Sequence, residues 1–188
     1  MDGAGFCLFP TPIGECAIAW REGTVVGVLL PGEYVAQTRS RMAGRFPDLH
    51  ESGPPPAMES IIGRIRGLLE GAHDDLLDVP LDMNGVASFN QRVYAVARAI
   101  APGRTLTYGE VAARLGEPGA SRAVGQALGH NPFAPVVPCH RVLAAGARGG
   151  GFSAAGGVST KLRMLEIERA SFTSEPGLFD SLPFSTPG

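Results

Sequence analysis

Apolar residues fall in short blocks along the first third of the chain. CAIAW (16–20) and TVVGVLL (24–30) are apolar runs split by REG, a pattern that predicts a hairpin. EYVAQTRSRMAGRF (33–46) predicts a helix, with Tyr34, Met42 and Phe46 among its apolar positions. HESGPPPAM (50–58) reads as a loop. In MESIIGRIRGLLEG (58–71), Ile61, Ile62, Ile65, Leu68 and Leu69 recur at 3–4 spacing, which predicts a second amphipathic helix. LLDVPLDM (76–83) reads as an edge strand, because Pro80 excludes a central one.

A boundary falls near NGVAS (84–88). Ser88 with Gln91 predicts a capping box for a helix through Ile100, with Phe89, Val93, Val96, Ala97 and Ile100 as its buried stripe. APGR breaks that helix. Thr107 with Glu110 predicts a second capping box for a short helix through Leu115. GEPG (116–119) turns the chain, and ASRAVGQALGHN (120–131) continues as helix, so the pair has a helix-turn-helix pattern. The last helix is expected from about Val158 to Ala170, with Leu162, Leu165 and Ile167 inward. The expected organisation is an N-terminal α/β domain (1–84), a C-terminal domain (85–170) and a disordered tail (171–188).

Charge sharpens the boundary. Residues 1–85 hold six arginines against twelve acidic residues, a net of −6, while residues 86–170 hold nine arginines and Lys161 against four acidic residues, a net of +6. A basic half of this kind suits a polyanion such as nucleic acid. No apolar run approaches the ~18–20 residues of a membrane span. MDGAGFCLFP has no basic stretch ahead of an apolar one. Three widely spaced cysteines do not suggest a disulfide framework. A cytoplasmic protein without membrane contact is expected.

The candidate chemistry centres on PVVPCHRV (135–142). Cys7 and Cys16 sit in apolar, strand-like contexts and read as small core residues. Cys139 lies instead between Pro138 and His140–Arg141, where a strand is expected to leave the core, and cationic neighbours favour a thiolate. His140 as its base needs a polar group to orient the other ring nitrogen, and this half offers only Glu110, Glu117, Glu166 and Glu168. A zinc site is not expected, because no CxxC or HxxxH pair exists. GARGGGFSAAGG (146–157) lacks the ending of a phosphate-binding loop.

Four segments in this order, FNQRVY (89–94), GRTLTYGEVAARLGEPGASRAVGQALGHNP (103–132), VVPCHRV (136–142) and GGFSAAGGVSTKLRMLEIE (150–168), resemble the O6-alkylguanine-DNA alkyltransferases, the methylated-DNA–protein-cysteine methyltransferases. The resemblance covers about 80 residues closely and the N-terminal third only in style. It implies an α+β two-domain fold: a small ribonuclease H-like sheet with helices, then a helical, winged-helix-like domain carrying the helix-turn-helix. It implies direct-reversal DNA repair, in which Cys139 takes the alkyl group from O6 of guanine, and from O4 of thymine, once and irreversibly. His140 would accept the thiol proton through a water, a water being expected because neighbouring side chains on an extended stretch diverge. Tyr108 would give the leaving guanine a proton. The family glutamate falls seven residues after its lysine; with Lys161 as anchor this selects Glu168 to hold His140 and leaves Glu166 solvated.

The resemblance also implies alkylated duplex DNA as partner, entered through the minor groove with the guanine flipped. Arg122 would fill the vacated stack, small Ala123, Gly125 and Ala127 would permit close approach, and Gln126 and Ser153 would lie against the DNA. Asn131, Pro138, Arg141 and Lys161 would be structural. No cofactor or metal is implied, and the protein is expected to be a monomer. Phe152 replaces a frequent tyrosine, and Gly109, Glu117 and Ala145 stand where some relatives carry polar groups near DNA; Glu117 would repel phosphate. GLFDSLPF (177–184) loosely resembles peptides that dock on the sliding clamp. Three other readings stay open: a lesion-binding module without transfer, argued against by Cys139; a repair protein that is also an activator, for which the chain is too short; and an unrelated cysteine hydrolase.

Overall fold

A computed structural model describes residues 3–146 and 156–171. Three antiparallel strands, β1 (Ala4–Thr11), β2 (Gly14–Arg21) and β3 (Thr24–Leu29), form a meander in the order β1-β2-β3. The β2–β3 turn is Glu22-Gly23, both with positive φ (48° and 78°), the backbone that two-residue hairpins require. β1 is foreshadowed only by the strand-like context of Cys7, without bounds. Its pairing with β2 along all eight residues gives the sheet its outer edge.

Period-2 alternation sends the strands' side chains to two buried faces. Phe6, Ala17, Ala19, Val26 and Leu29 meet Met42 and Leu49 beside α1 (Val35–Arg45). Gly27 lies so close to the Phe46 ring that a Cβ there would sit 2.7 Å from it. On the other face, Cys16, Ile18, Trp20, Val25 and Val28 join α2 (Pro56–Leu69) and continue without a break into the second half of the chain, through Val93, Tyr94, Val111, Val124, Val137 and Met164. Pro56 opens α2 at the first helical position, where its missing N–H costs nothing.

The second half contributes α3 (Ser88–Arg98), β4 (Leu106–Thr107), α4 (Tyr108–Arg114), α5 (Ser121–Gly129), a 3-10 turn (Cys139–Arg141), β5 (Val142–Leu143) and α6 (Val158–Ile167). β4 and β5 pair in parallel. Tyr94, absent from the expected buried stripe of α3, is buried and donates its hydroxyl to the Ala127 carbonyl at 2.9 Å, locking α3 to α5. No helix among the described residues is long and apolar enough to cross a membrane.

Three local expectations are corrected. Residues 76–83 form no strand; only Leu81 bridges Val25, because Pro80 cannot donate and Arg64 ties the segment to its side by pairing with Asp74 and Asp78. Ser88 is not a cap: Ala87 holds that position, and the Gln91 amide instead donates to the Val86 carbonyl at 2.8 Å. Cys139 does not stand on an extended exit, since residues 139–141 form a 3-10 turn. The second capping box is present, with Glu110 N–H to Thr107 Oγ1 at 3.1 Å and Thr107 N–H to Glu110 Oε2 at 2.6 Å.

One cation clasps the two halves together. Arg98 of α3 donates through Nη2 to the carbonyls of Leu76 (2.7 Å), Leu77 (2.7 Å) and Val79 (3.0 Å). Truncation to alanine strands those carbonyls, of which Leu76 and Val79 belong to buried residues. Arg98→Ala is therefore expected to cost about 2 kcal/mol, read as a lower urea midpoint with an unchanged denaturant slope.

Candidate active site

The site grows from the loop between α5 and β5. Asn131 organises it: its amide donates to the Val137 carbonyl at 2.7 Å, and its oxygen accepts from Phe133 N–H at 2.9 Å. The same loop is pinned to the sheet, where Val28 N–H donates to the Pro132 carbonyl at 2.9 Å. Pro138 then starts the 3-10 turn, accepting from Arg141 N–H at 3.0 Å. This turn presents Cys139 and His140 in succession, both buried. On this 3-10 turn the two side chains do not diverge as neighbours on an extended stretch would.

His140, Arg141 and Glu168 meet in a buried cluster. His140 Nε2 lies 2.8 Å from Glu168 Oε1. Arg141 donates to the same carboxylate through Nη2 (2.8 Å to Oε1) and Nε (3.0 Å to Oε2), and through Nη1 to the Ile100 carbonyl at 2.6 Å. Glu168 caps the C-terminal end of α6, and Glu166, two residues earlier, is exposed. Burial pushes the Glu168 acid up, but hydrogen bonds and charge from His140 and Arg141 outweigh it and hold the group at about 2. An ionised carboxylate can only accept, so His140 Nε2 carries the hydrogen and Nδ1 is the free basic nitrogen. Nδ1 is buried and has no hydrogen-bond partner among the described residues.

Burial pushes the Cys139 thiol up and the His140 imidazole down, so the resting pair is neutral. Two neighbours work against burial at sulfur: the Asn131 side chain bonds to it and the Lys161 charge favours a thiolate. Lys161 is itself buried. Desolvation lowers it to about 8, although Cys139 pulls the other way. Its Nζ donates to the Val142 carbonyl at 2.6 Å and lies 5.6 Å from the Tyr108 ring centroid. Tyr108, the first residue of α4, is half-buried; burial and the nearby Cys139 raise its phenol. The Lys161 ammonium and the Tyr108 phenol thus stand near the Cys139 sulfur, and the same turn carries the His140–Glu168 pair, an arrangement suited to attack by sulfur with proton exchange at both ends.

The helix-turn-helix lies beside it. α5 buries Val124, Ala127 and Leu128 and exposes Arg122, Gln126 and Gly129 on the opposite side, so Ala127 packs in the core and does not permit close approach of DNA as expected. Ala123 and Gly125 are partly covered, and a Cβ at Gly125 would lie 3.8 Å from the Tyr108 ring, so α5 and the site share a wall. Glu117, in the turn between the helices, is ion-paired with Arg92 and so does not stand as an uncompensated charge. Ser153 and Phe152 lie outside the described residues, as does the segment 177–184. Two contacts to the Arg141–Glu168 pair escaped the sequence reading, the Ile100 carbonyl on Arg141 and the Gly103 N–H 3.3 Å from Glu168 Oε2. The only available signal was the APGR turn, read there as a helix breaker.

Residues 88–170 match the family model described as 6-O-methylguanine DNA methyltransferase, DNA binding domain. The chain is 34% identical over 164 residues to the methylated-DNA–protein-cysteine methyltransferase of Methanothermobacter thermautotrophicus, covering 87% of this chain and 85% of that protein. It is 39% identical over 131 residues to the same-named protein of Mycobacterium tuberculosis, covering 70% and 77%. The solved structure of M. tuberculosis OGT in complex with DNA superposes with a TM-score of 0.71 at 32% identity, covering 88% of this chain and 92% of that one.

Proposed function

The chain belongs to the methylated-DNA–protein-cysteine methyltransferases and repairs alkylated DNA by direct reversal; from that premise we propose that Cys139 is the acceptor and that His140, Glu168 and Tyr108 serve it. The carrying observation is the buried line from the Glu168 carboxylate through His140 Nε2–H to a free Nδ1, on the residue that follows Cys139 in the 3-10 turn. As the alkylated base arrives, the thiol proton passes to Nδ1, with or without a bridging water. The imidazolium is stabilised by Glu168, whose charge is already present. Sulfur attacks the alkyl carbon, a C–S bond forms and the C–O bond to O6 breaks. The electron pair goes to guanine, which takes a proton from the Tyr108 phenol. The cation of Lys161 near that ring eases the negative charge left there. The product is a thioether, which no group here can cleave, so each chain acts once and no cofactor enters. O4-alkylthymine presents the same alkyl-oxygen bond and is a second substrate.

A base inside a duplex cannot reach a buried sulfur, so the nucleotide is flipped out. We assign Arg122 to the vacated place in the stack and Ala123, Gly125, Gln126 and Ser153 to the minor-groove contact, with Asn131, Pro138, Arg141 and Lys161 holding the site. Residues 1–84 form a ribonuclease H-like unit and 85–170 a winged-helix-like unit that carries the chemistry. The protein acts as a monomer. Exposure of Arg122 opposite the buried side of α5 supports the DNA-facing assignment. Arg122→Ala is expected to slow single-turnover transfer from duplex DNA about tenfold or more, an unstacked base costing a few kcal/mol, while transfer from the free alkylated base changes little. Equal slowing on both substrates would remove Arg122 from flipping.

A further inference from the structure

The Glu168 carboxylate receives a hydrogen bond that the relay alone does not explain. Ala101-Pro102-Gly103-Arg104 is a tight turn, closed by Arg104 N–H to the Ala101 carbonyl at 3.1 Å. Gly103 has φ +79°. A positive φ at the third residue with proline at the second is the signature of a type II turn, in which the central peptide is flipped relative to type I. That flip sets the direction of the Gly103 N–H, which donates to Glu168 Oε2 at 3.3 Å. The Gly103 carbonyl in turn accepts from Ser171 N–H at 3.1 Å, just beyond α6. A Cβ on Gly103 would lie 3.1 Å from the Glu168 carbonyl oxygen. Ile100, one residue before the turn, holds Arg141 through its carbonyl. The same short segment therefore grips both the carboxylate and its arginine.

We propose that Gly103 is a positioning residue for the transfer reaction: the Pro102-Gly103 turn aims its N–H at Glu168 Oε2 and so keeps Oε1 on His140. The inference rests on the reading of Glu168 as the group that orients His140. Alanine at 103 disfavours the positive φ, and the type I alternative points this N–H elsewhere. A displaced carboxylate stabilises imidazolium less. A weaker proton acceptor has a lower pKa, so the rising limb of the rate, which follows neutral His140, moves to lower pH while the plateau falls.

The test is the pH dependence of single-turnover transfer for Gly103→Ala, Gly103→Asn and Glu168→Asp, with DNA affinity measured alongside. Gly103→Ala is expected to move the midpoint of the rising limb down by about half a pH unit and to lower the plateau rate by up to roughly threefold, at unchanged DNA affinity. Asparagine tolerates positive φ, so Gly103→Asn is expected to restore part of the shift; it also supplies a reading if the alanine variant fails to fold. A loss of stability alone would lower the yield of active protein without moving the midpoint. If Glu168→Asp shifts the midpoint and neither Gly103 variant does, the role of Gly103 is refuted while that of Glu168 stands. If none of the three shifts it, the reading of Glu168 fails and takes this proposal with it.

Discussion

Mixing the protein with a duplex that carries one O6-methylguanine is expected to add a single methyl group, about 14 Da, to Cys139 and to no other residue. The other two cysteines are internal controls. Burial and the nearby Glu51 hold Cys7 at about 11, and burial holds Cys16 at about 12, so both stay neutral thiols. Cys139 is also raised by burial, but the Asn131 side chain and the Lys161 charge lower it, and the proposed base, His140, follows it in the chain. Peptide mapping of the product locates the methyl group. A second portion of DNA should add nothing, because the thioether cannot be resolved. Cys139→Ser should lose transfer by on the order of 10⁴ or more, since a hydroxyl is a poor nucleophile toward saturated carbon, while duplex binding persists. Methyl on Cys7 or Cys16, or an unchanged mass in folded protein, would overturn the assignment. Continued turnover of a generic ester by wild-type protein would point to a hydrolase instead.

Much of this site was legible in sequence because its parts are local or motif-bound. The Thr107–Glu110 box follows from a three-residue spacing, and the Cys139–His140 pair is adjacent. Glu168 was reachable only through Lys161, and the reason is physical. His140 and Glu168 are 28 residues apart, and what joins them is the packing of α6 against the 3-10 turn, which no periodicity encodes. The errors share that cause. Residues 76–83 have a strand's composition, yet Arg98 and Arg64 bind their carbonyls and carboxylates and leave a single bridge. Ser88 with Gln91 has a cap's spacing, yet Gln91 finds a better acceptor in the Val86 carbonyl. Gly103 punctuates a helix end in sequence; its N–H has meaning only once Glu168 is beside it.

Glu168→Gln is expected to have the second-largest effect, and it separates charge from shape. Glutamine is nearly isosteric but neutral, so Arg141, fully buried, loses its counter-charge. An uncompensated buried charge costs about 3–5 kcal/mol. The amide can also either donate or accept, so it no longer dictates which nitrogen of His140 carries hydrogen. Transfer should fall by about 10²–10⁴, the range of a lost acid–base contribution. The pH dependence of stability has a definite sign. Glu168 titrates at about 2 in the folded chain against an ordinary 4.5, so its stabilisation is complete above about pH 5 and disappears as pH falls toward 2. A shift of that size corresponds to about 3 kcal/mol. Urea midpoints of wild type should therefore fall steeply between about pH 5 and 2, whereas the glutamine variant should start lower at pH 7 and lack this component. The two curves converge as the wild-type carboxyl protonates, because both chains then hold a neutral group against Arg141. Parallel curves over that window would mean that the Glu168 charge does not hold this cluster, and the relay would lose its anchor.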